Sequence, residues 1–110
     1  MYVIDYFSDE VQQTIFEWPL GLRARYFYLT ELMRTRGSNL GSPHTEALRD
    51  GLFEIRVKGK EGIGRAFYCT LVGQRIVVLH SIIKKSQKTP KKDLDLALAR
   101  MKEIKNENAA

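Results

Sequence analysis

Residues 51 to 92, GLFEIRVKGKEGIGRAFYCTLVGQRIVVLHSIIKKSQKTPKK, alternate apolar and polar side chains in stretches separated by glycine-bearing turns, the pattern of an antiparallel β meander. The meander runs without a break into five lysines within the nine positions 84 to 92. A sheet that ends in so dense a cationic segment is suited to hold a polyanion, and its strands also carry Arg56, Arg65 and His80.

Upstream, Tyr2 to Phe7 is a short run of β formers, and Ser8 followed by Asp9 and Glu10 has the form of a helix N-cap with acids in the first turn. Val11, Ile15 and Trp18 then trace one helical face until Pro19, and Leu22, Tyr26, Leu29 and Met33 trace another until Gly37. A strand leading into a helical hairpin is the expectation, with its aromatic residues in the core. Residues 37 to 50, GSNLGSPHTEALRD, suggest a loop with one helical turn around Thr45 to Leu48. Downstream, Thr89 as cap and Pro90 as first residue open a C-terminal helix with Leu94, Ala97, Leu98, Met101 and Ile104 on its apolar stripe, and the last residues, NENAA, are expected to fray. The fold class is α+β: an N-terminal strand and helical hairpin packed on a mostly antiparallel four-stranded sheet, plus a C-terminal helix.

With 110 residues the chain suits a single domain, 1–110. No apolar run approaches the roughly 20 residues that span a bilayer, so no membrane association is expected. The N-terminus lacks the pattern of a signal peptide and Cys69 has no disulfide partner, so a cytoplasmic location is the default. One cysteine and two histidines offer no zinc spacing, so neither metal nor cofactor is expected. The net charge of +5 is unevenly spread: residues 51 to 110 carry thirteen basic and six acidic side chains, which gives that half +7. Such a field concentrates phosphate-bearing ligands, although an acidic protein partner would answer it too.

Hairpin loops fix which residues share a face. A two-residue turn at Gly73 and Gln74 pairs Val72 with Arg75, Phe67 with His80, Arg65 with Ile82 and Ile63 with Lys84. A four-residue loop from Gly59 to Gly62 pairs Lys58 with Ile63, Arg56 with Arg65 and Glu54 with Phe67, whereas a five-residue loop would move Arg56 to the other face. One face then collects Glu54, Arg56, Arg65, His80 and Lys84, with Cys69, Leu71, Ile76 and Val78 at its other end under the C-terminal helix. The opposite face collects Phe53, Ile55, Val57, Ala66, Tyr68, Val77, Leu79 and Ile83, to be covered by the helical hairpin. Facing arginines repel each other by roughly 0.2 to 1 kcal/mol. Two compensations are open: Glu54 bridges them as an internal ion-pair network, or the pair clamps a phosphate, whose oxygens match guanidinium forks.

The metal-free chemistry open to such a surface is RNA cleavage by attack of the 2′-OH on the adjacent phosphorus, which needs a base, an acid and cations on the developing charge. A histidine such as His80 can fill either proton role. Glu54 or Glu46 can act as base, and Arg56, Arg65 and Lys84 can stabilise the transition state. His44 and Glu46 lie just upstream of the meander, within reach of its rim. Lys85, Lys88, Lys91 and Lys92 are the candidate RNA-binding residues.

Three motifs, GLxEhR at Gly51 to Arg56 (h apolar), RxFY at Arg65 to Tyr68 and the IKKSQKTPKK block at Ile83 to Lys92, together resemble the phage-derived Gp49-like branch of the HigB/RelE toxin superfamily. The resemblance covers most of the chain. It implies a RelE-like α+β toxin whose open sheet face cuts mRNA on the translating ribosome, with Arg65 first and Arg56 second among the catalytic residues. Lys84 and Lys85 stand where some relatives place a catalytic histidine or tyrosine. The resemblance also implies a cognate helix-turn-helix antitoxin as partner, and no direct DNA binding except through it. The alternative is a non-catalytic basic module that binds RNA or an acidic protein.

Overall fold

The computed structural model describes residues 1 to 108, so Ala109 and Ala110, the end of the NENAA segment, lie outside the described residues. The elements follow in the order β1 (Val3–Tyr6), α1 (Asp9–Phe16), α2 (Leu20–Arg36), β2 (Thr45–Arg49), β3 (Leu52–Gly59), β4 (Gly62–Leu71), β5 (Arg75–Lys84) and α3 (Lys91–Glu107). The sheet has the order β1-β5-β4-β3-β2, antiparallel except for the parallel pair of β1 with β5. The α+β class stands, with five strands where the sequence suggests four. The extra strand is β2, which forms where a loop with a helical turn is expected. Its TEALR segment pairs with β3 through Thr45 with Ile55 and Glu46 with Glu54, and Asp50 and Gly51, both at positive φ, turn the chain into β3.

The helices form as their periodicity requires. Ser8 accepts the Val11 N–H at 3.2 Å, as an N-cap side chain does, and α1 and α2 bury Val11, Ile15, Leu22, Tyr26, Leu29 and Met33. At the chain's end α3 runs on to Glu107, so Asn106 and Glu107 are helical rather than frayed. Thr89 does not cap that helix: its hydroxyl turns back to the sheet instead, and Pro90 occupies the cap position with no side-chain bond.

Both faces of the sheet are covered, which is why RIVVLHSII in β5 is apolar almost throughout. The hairpin of α1 and α2 packs on Ile55, Val57, Ala66, Tyr68, Ile76 and Val78, whereas α3 packs on Leu52, Phe67, Cys69, Val77 and Leu79. Trp18, two residues past the end of α1, lies directly on Gly64 of β4: a Cβ there would come within 2.8 Å of the indole. Only glycine admits that contact.

The register from Gly59 to Gly62 is the expected one, and Arg56 stands opposite Arg65. Phe67 with His80, Arg65 with Ile82 and Ile63 with Lys84 also pair as expected. Beyond them β5 bulges. Tyr68 pairs with Val78, Leu79 is the extra residue, and Leu71 rather than Val72 meets Arg75 across a three-residue turn. The bulge corrects four face assignments, moving Val77 and Leu79 under α3 and Ile76 and Val78 under the hairpin. The carbonyl of Leu79 is satisfied by Arg100 Nη1 of α3 at 2.8 Å.

Candidate nucleic-acid interface

On the face shared with α3, successive rows of side chains cross the strands. The first row holds Glu46, Glu54, Phe67 and His80, and the second Arg56, Arg65 and Ile82. The third holds Lys58, Ile63 and Lys84. α3 covers the β5 half of this face and leaves the β3 edge to the charged groups.

Glu54 joins the two arginines. Its Oε1 lies 3.1 Å from Arg65 Nε and 3.3 Å from Arg56 Nε, with Glu54 and Arg65 only 2% and 0% exposed. Neither Nε–H aligns with that oxygen well enough for a hydrogen bond, so the contact is mainly ionic. Burial pushes the Glu54 carboxyl up in spite of both guanidiniums, and burial draws Arg65 down from its ordinary value. Removing the charges from water thus outweighs their mutual attraction, as is common for buried ion pairs. Of the two compensations open for facing arginines, the folded chain itself supplies the Glu54 bridge. The glutamate expected as a possible base is therefore tied up, with its Oε2 accepting a bond from Thr89 Oγ1 at 3.2 Å.

The lysine tract folds over this triad. Ser86 O accepts from Arg65 Nη2 at 2.6 Å, and Gln87 O accepts from Arg56 Nη2. Lys84, Lys85 and Lys88 are exposed on the outside of the segment, and Lys91 and Lys92 are exposed at the start of α3, where Lys91 pairs with Asp95.

Beside Arg56 lies a cavity of about 420 Å³ lined by Arg25, Pro43, His44, Glu46, Arg56 and Lys58. It sits at the edge of β3 beyond the end of β2, where His44 O accepts the Arg56 N–H at 2.9 Å. Glu46 and His44, an acceptor and a possible donor of protons, thus stand next to cations. The cavity has room for roughly one nucleotide unit.

His80 is not part of this group. Its Nε2 donates to Asp93 Oδ1 of α3 at 2.8 Å, its ring stacks on Phe67 with centroids 5.7 Å apart, and the cleft it lines is shared with Glu10, Thr14, Ser81 and Arg100. Geometry gives it the task of pinning the start of α3. Lys84 lies in the third row, across Ile63 from Lys58.

Sequence reasoning passed over Lys58, Arg25 and Asp93. Lys58 follows Arg56 by two residues, which by strand alternation puts it on the same face and could have identified it. Nothing comparable marks Arg25, which comes from another element, or Asp93, which in sequence is simply an acid in a first helical turn.

The family described as phage derived protein Gp49-like matches residues 13–102, which include all of β2 through β5 and most of α3. No curated protein matches the chain.

Proposed function

The chain belongs to the phage-derived Gp49-like family, a RelE/HigB-like toxin family, and from that premise we propose that it is the toxin of a type II toxin-antitoxin pair and a metal-independent endoribonuclease acting on mRNA at the ribosome. The observation that carries this reading is the cavity in which Glu46 and His44 flank Arg56 and Lys58, with Arg65 directly across the strands from Arg56. In the proposed reaction Glu46 takes the proton of the 2′-OH, whose oxygen attacks the adjacent phosphorus. The bond from phosphorus to the 5′ oxygen breaks, and His44, as general acid, supplies the proton to that leaving oxygen. The products are a 2′,3′-cyclic phosphate and a 5′-hydroxyl. Arg56 and Arg65 stabilise the charge on the phosphoryl oxygens, with Lys58 and Lys84 on either side. Lys85, Lys88, Lys91 and Lys92 guide the RNA. Glu54 acts by positioning the arginines, and His80 by holding α3. The proposed partners are ribosome-bound mRNA and a helix-turn-helix antitoxin, and the proposed location is the cytoplasm.

A second reading, a basic module that binds RNA or an acidic protein without cutting, draws on the complete burial of Arg65. Expression without antitoxin, combined with mapping of RNA ends, separates the two. The enzyme arrests growth and leaves 2′,3′-cyclic phosphate ends. Glu46→Gln and Arg65→Lys abolish both effects while ribosome association persists. Growth arrest without new RNA ends, or toxicity that falls only in step with RNA affinity, favours the binding module.

A further inference from the structure

We propose that residues 85 to 89 form a strap whose Ser86 and Gln87 carbonyls occupy, in the free protein, the places of two phosphate oxygens on Arg65 and Arg56, and that an RNA phosphodiester displaces them to open the site. The proposal rests on the reading of these arginines as a phosphate clamp, and deepens it: the clamp is built but closed.

Three observations carry it. The acceptors on the two Nη2 groups are carbonyls of consecutive residues, a pair of neutral oxygens bridging both guanidiniums as the two non-bridging oxygens of one phosphodiester would. The charges under the strap do not balance: two arginines against one glutamate leave one positive charge. Arg65 is fully buried, and its Nη1 has no hydrogen-bond partner among the described residues. A peptide carbonyl is a dipole and leaves both deficits standing, whereas a phosphodiester carries one negative charge and enough lone pairs to take up the idle donor. The guanidinium-to-carbonyl bonds are already charge-assisted, and a phosphodiester adds to them a full opposite charge and oxygens that match the guanidinium fork, so the exchange is favourable at the arginines.

The strap is also lightly held. Apart from the two carbonyl bonds to Arg65 and Arg56, which a phosphodiester would replace, its one bond to the sheet among the described residues made by a strap side chain is Thr89 Oγ1 to Glu54 Oε2. Its other side-chain bonds are internal, Ser86 Oγ with the N–H and carbonyl of Lys88, so it can lift as a preformed turn. Lys85 and Lys88 are exposed on it. An incoming RNA strand therefore meets the lysines first, and pulling on them draws the carbonyls off the arginines. Guidance by the lysine tract and assembly of the clamp become one event, and water is kept from Arg65 until substrate arrives.

Trypsin reads the state of the strap at Lys85 and Lys88, with the cut sites mapped by mass spectrometry. Inorganic phosphate, too small to shield the lysines, accelerates cleavage at these two sites, whereas chloride at equal ionic strength does not. Thr89→Ala accelerates it without phosphate and, because less of the protein is closed, binds a 2′-O-methyl trinucleotide roughly fivefold more tightly, the effect of losing about one hydrogen bond from the closed state. Thr89→Ser restores both values. Unchanged proteolysis with phosphate, or weaker trinucleotide binding in Thr89→Ala, overturns the strap. RNA cleavage that still depends on Arg56 and Arg65 would then leave the nuclease reading intact. Conversely, phosphate-gated proteolysis in a protein that cuts no RNA would keep the strap and remove the nuclease.

Discussion

Arg65 and Glu54 meet at 3.1 Å on the inner side of the α3 face, both nearly without solvent contact. The pair is an electrostatic cost that the fold carries for position. Because burial raises the Glu54 carboxyl above its usual 4.5, the stability linked to this group is fully present below that value and is lost as pH rises through the folded one. Glu54→Gln keeps the shape and an acceptor for Thr89. It is expected to change stability by less than about 1 kcal/mol at neutral pH and to flatten the wild-type decline above pH 4.5, as read by urea unfolding. Arg65→Ala, which opens a cavity and strips Glu54 of its closest cation, is expected to cost about 3 kcal/mol or more in the same measurement. Cleavage by Glu54→Gln should nevertheless fall, because the arginines lose their common anchor.

His80 and Asp93 offer a test in the opposite sense. His80→Asn and Asp93→Asn are each expected to lower stability by about 1 to 3 kcal/mol, the cost of stranding a buried polar partner, while RNA cleavage at a temperature where both stay folded is retained. Loss of cleavage with unchanged urea midpoints would return His80 to the catalytic group.

Cys69 lies under α3 with no solvent contact, and burial pushes its thiol above 9.0. A disulfide reagent at mildly alkaline pH should therefore leave the native protein unlabelled over a period in which the urea-unfolded chain reacts to completion. Since the folded thiol titrates above the unfolded one, this group's contribution is complete below 9.0 and declines only at higher pH.

The lysine tract predicts a salt effect. For a non-cleavable single-stranded RNA, replacing Lys88 or Lys92 by glutamine is expected to lower the slope of log affinity against log salt by about 0.7 for each phosphate that the variant no longer neutralises. Replacing Lys102 on the far part of α3 should leave the slope as it is.

Much of this architecture was legible because it depended on short turns. The loop from Gly59 to Gly62 admitted two lengths, and the fold takes the four-residue one, with which Arg56 faces Arg65. The bulge at Leu79 was hidden because β5 is apolar on both sides, so shifting a residue from one core to the other leaves the pattern unchanged. β2 escaped because its five residues sit among glycine, proline and turn formers, and edge strands that short owe their existence to the partner strand. Thr89 carried a helix-cap signature, yet its hydroxyl donates to a buried carboxylate oxygen instead of accepting a helix N–H. The cavity at Glu46 depended on three separate elements converging, which no local pattern records.

The contact of Trp18 with Gly64 gives the molecule an internal optical gauge. It is the only tryptophan in the chain, it is 4% exposed, and it touches the residue next to Arg65 from the other side of the sheet. Its emission should shift red on global unfolding and stay unchanged when only the segment over the arginines lifts. One spectrum can thus tell an opened site from a melted protein.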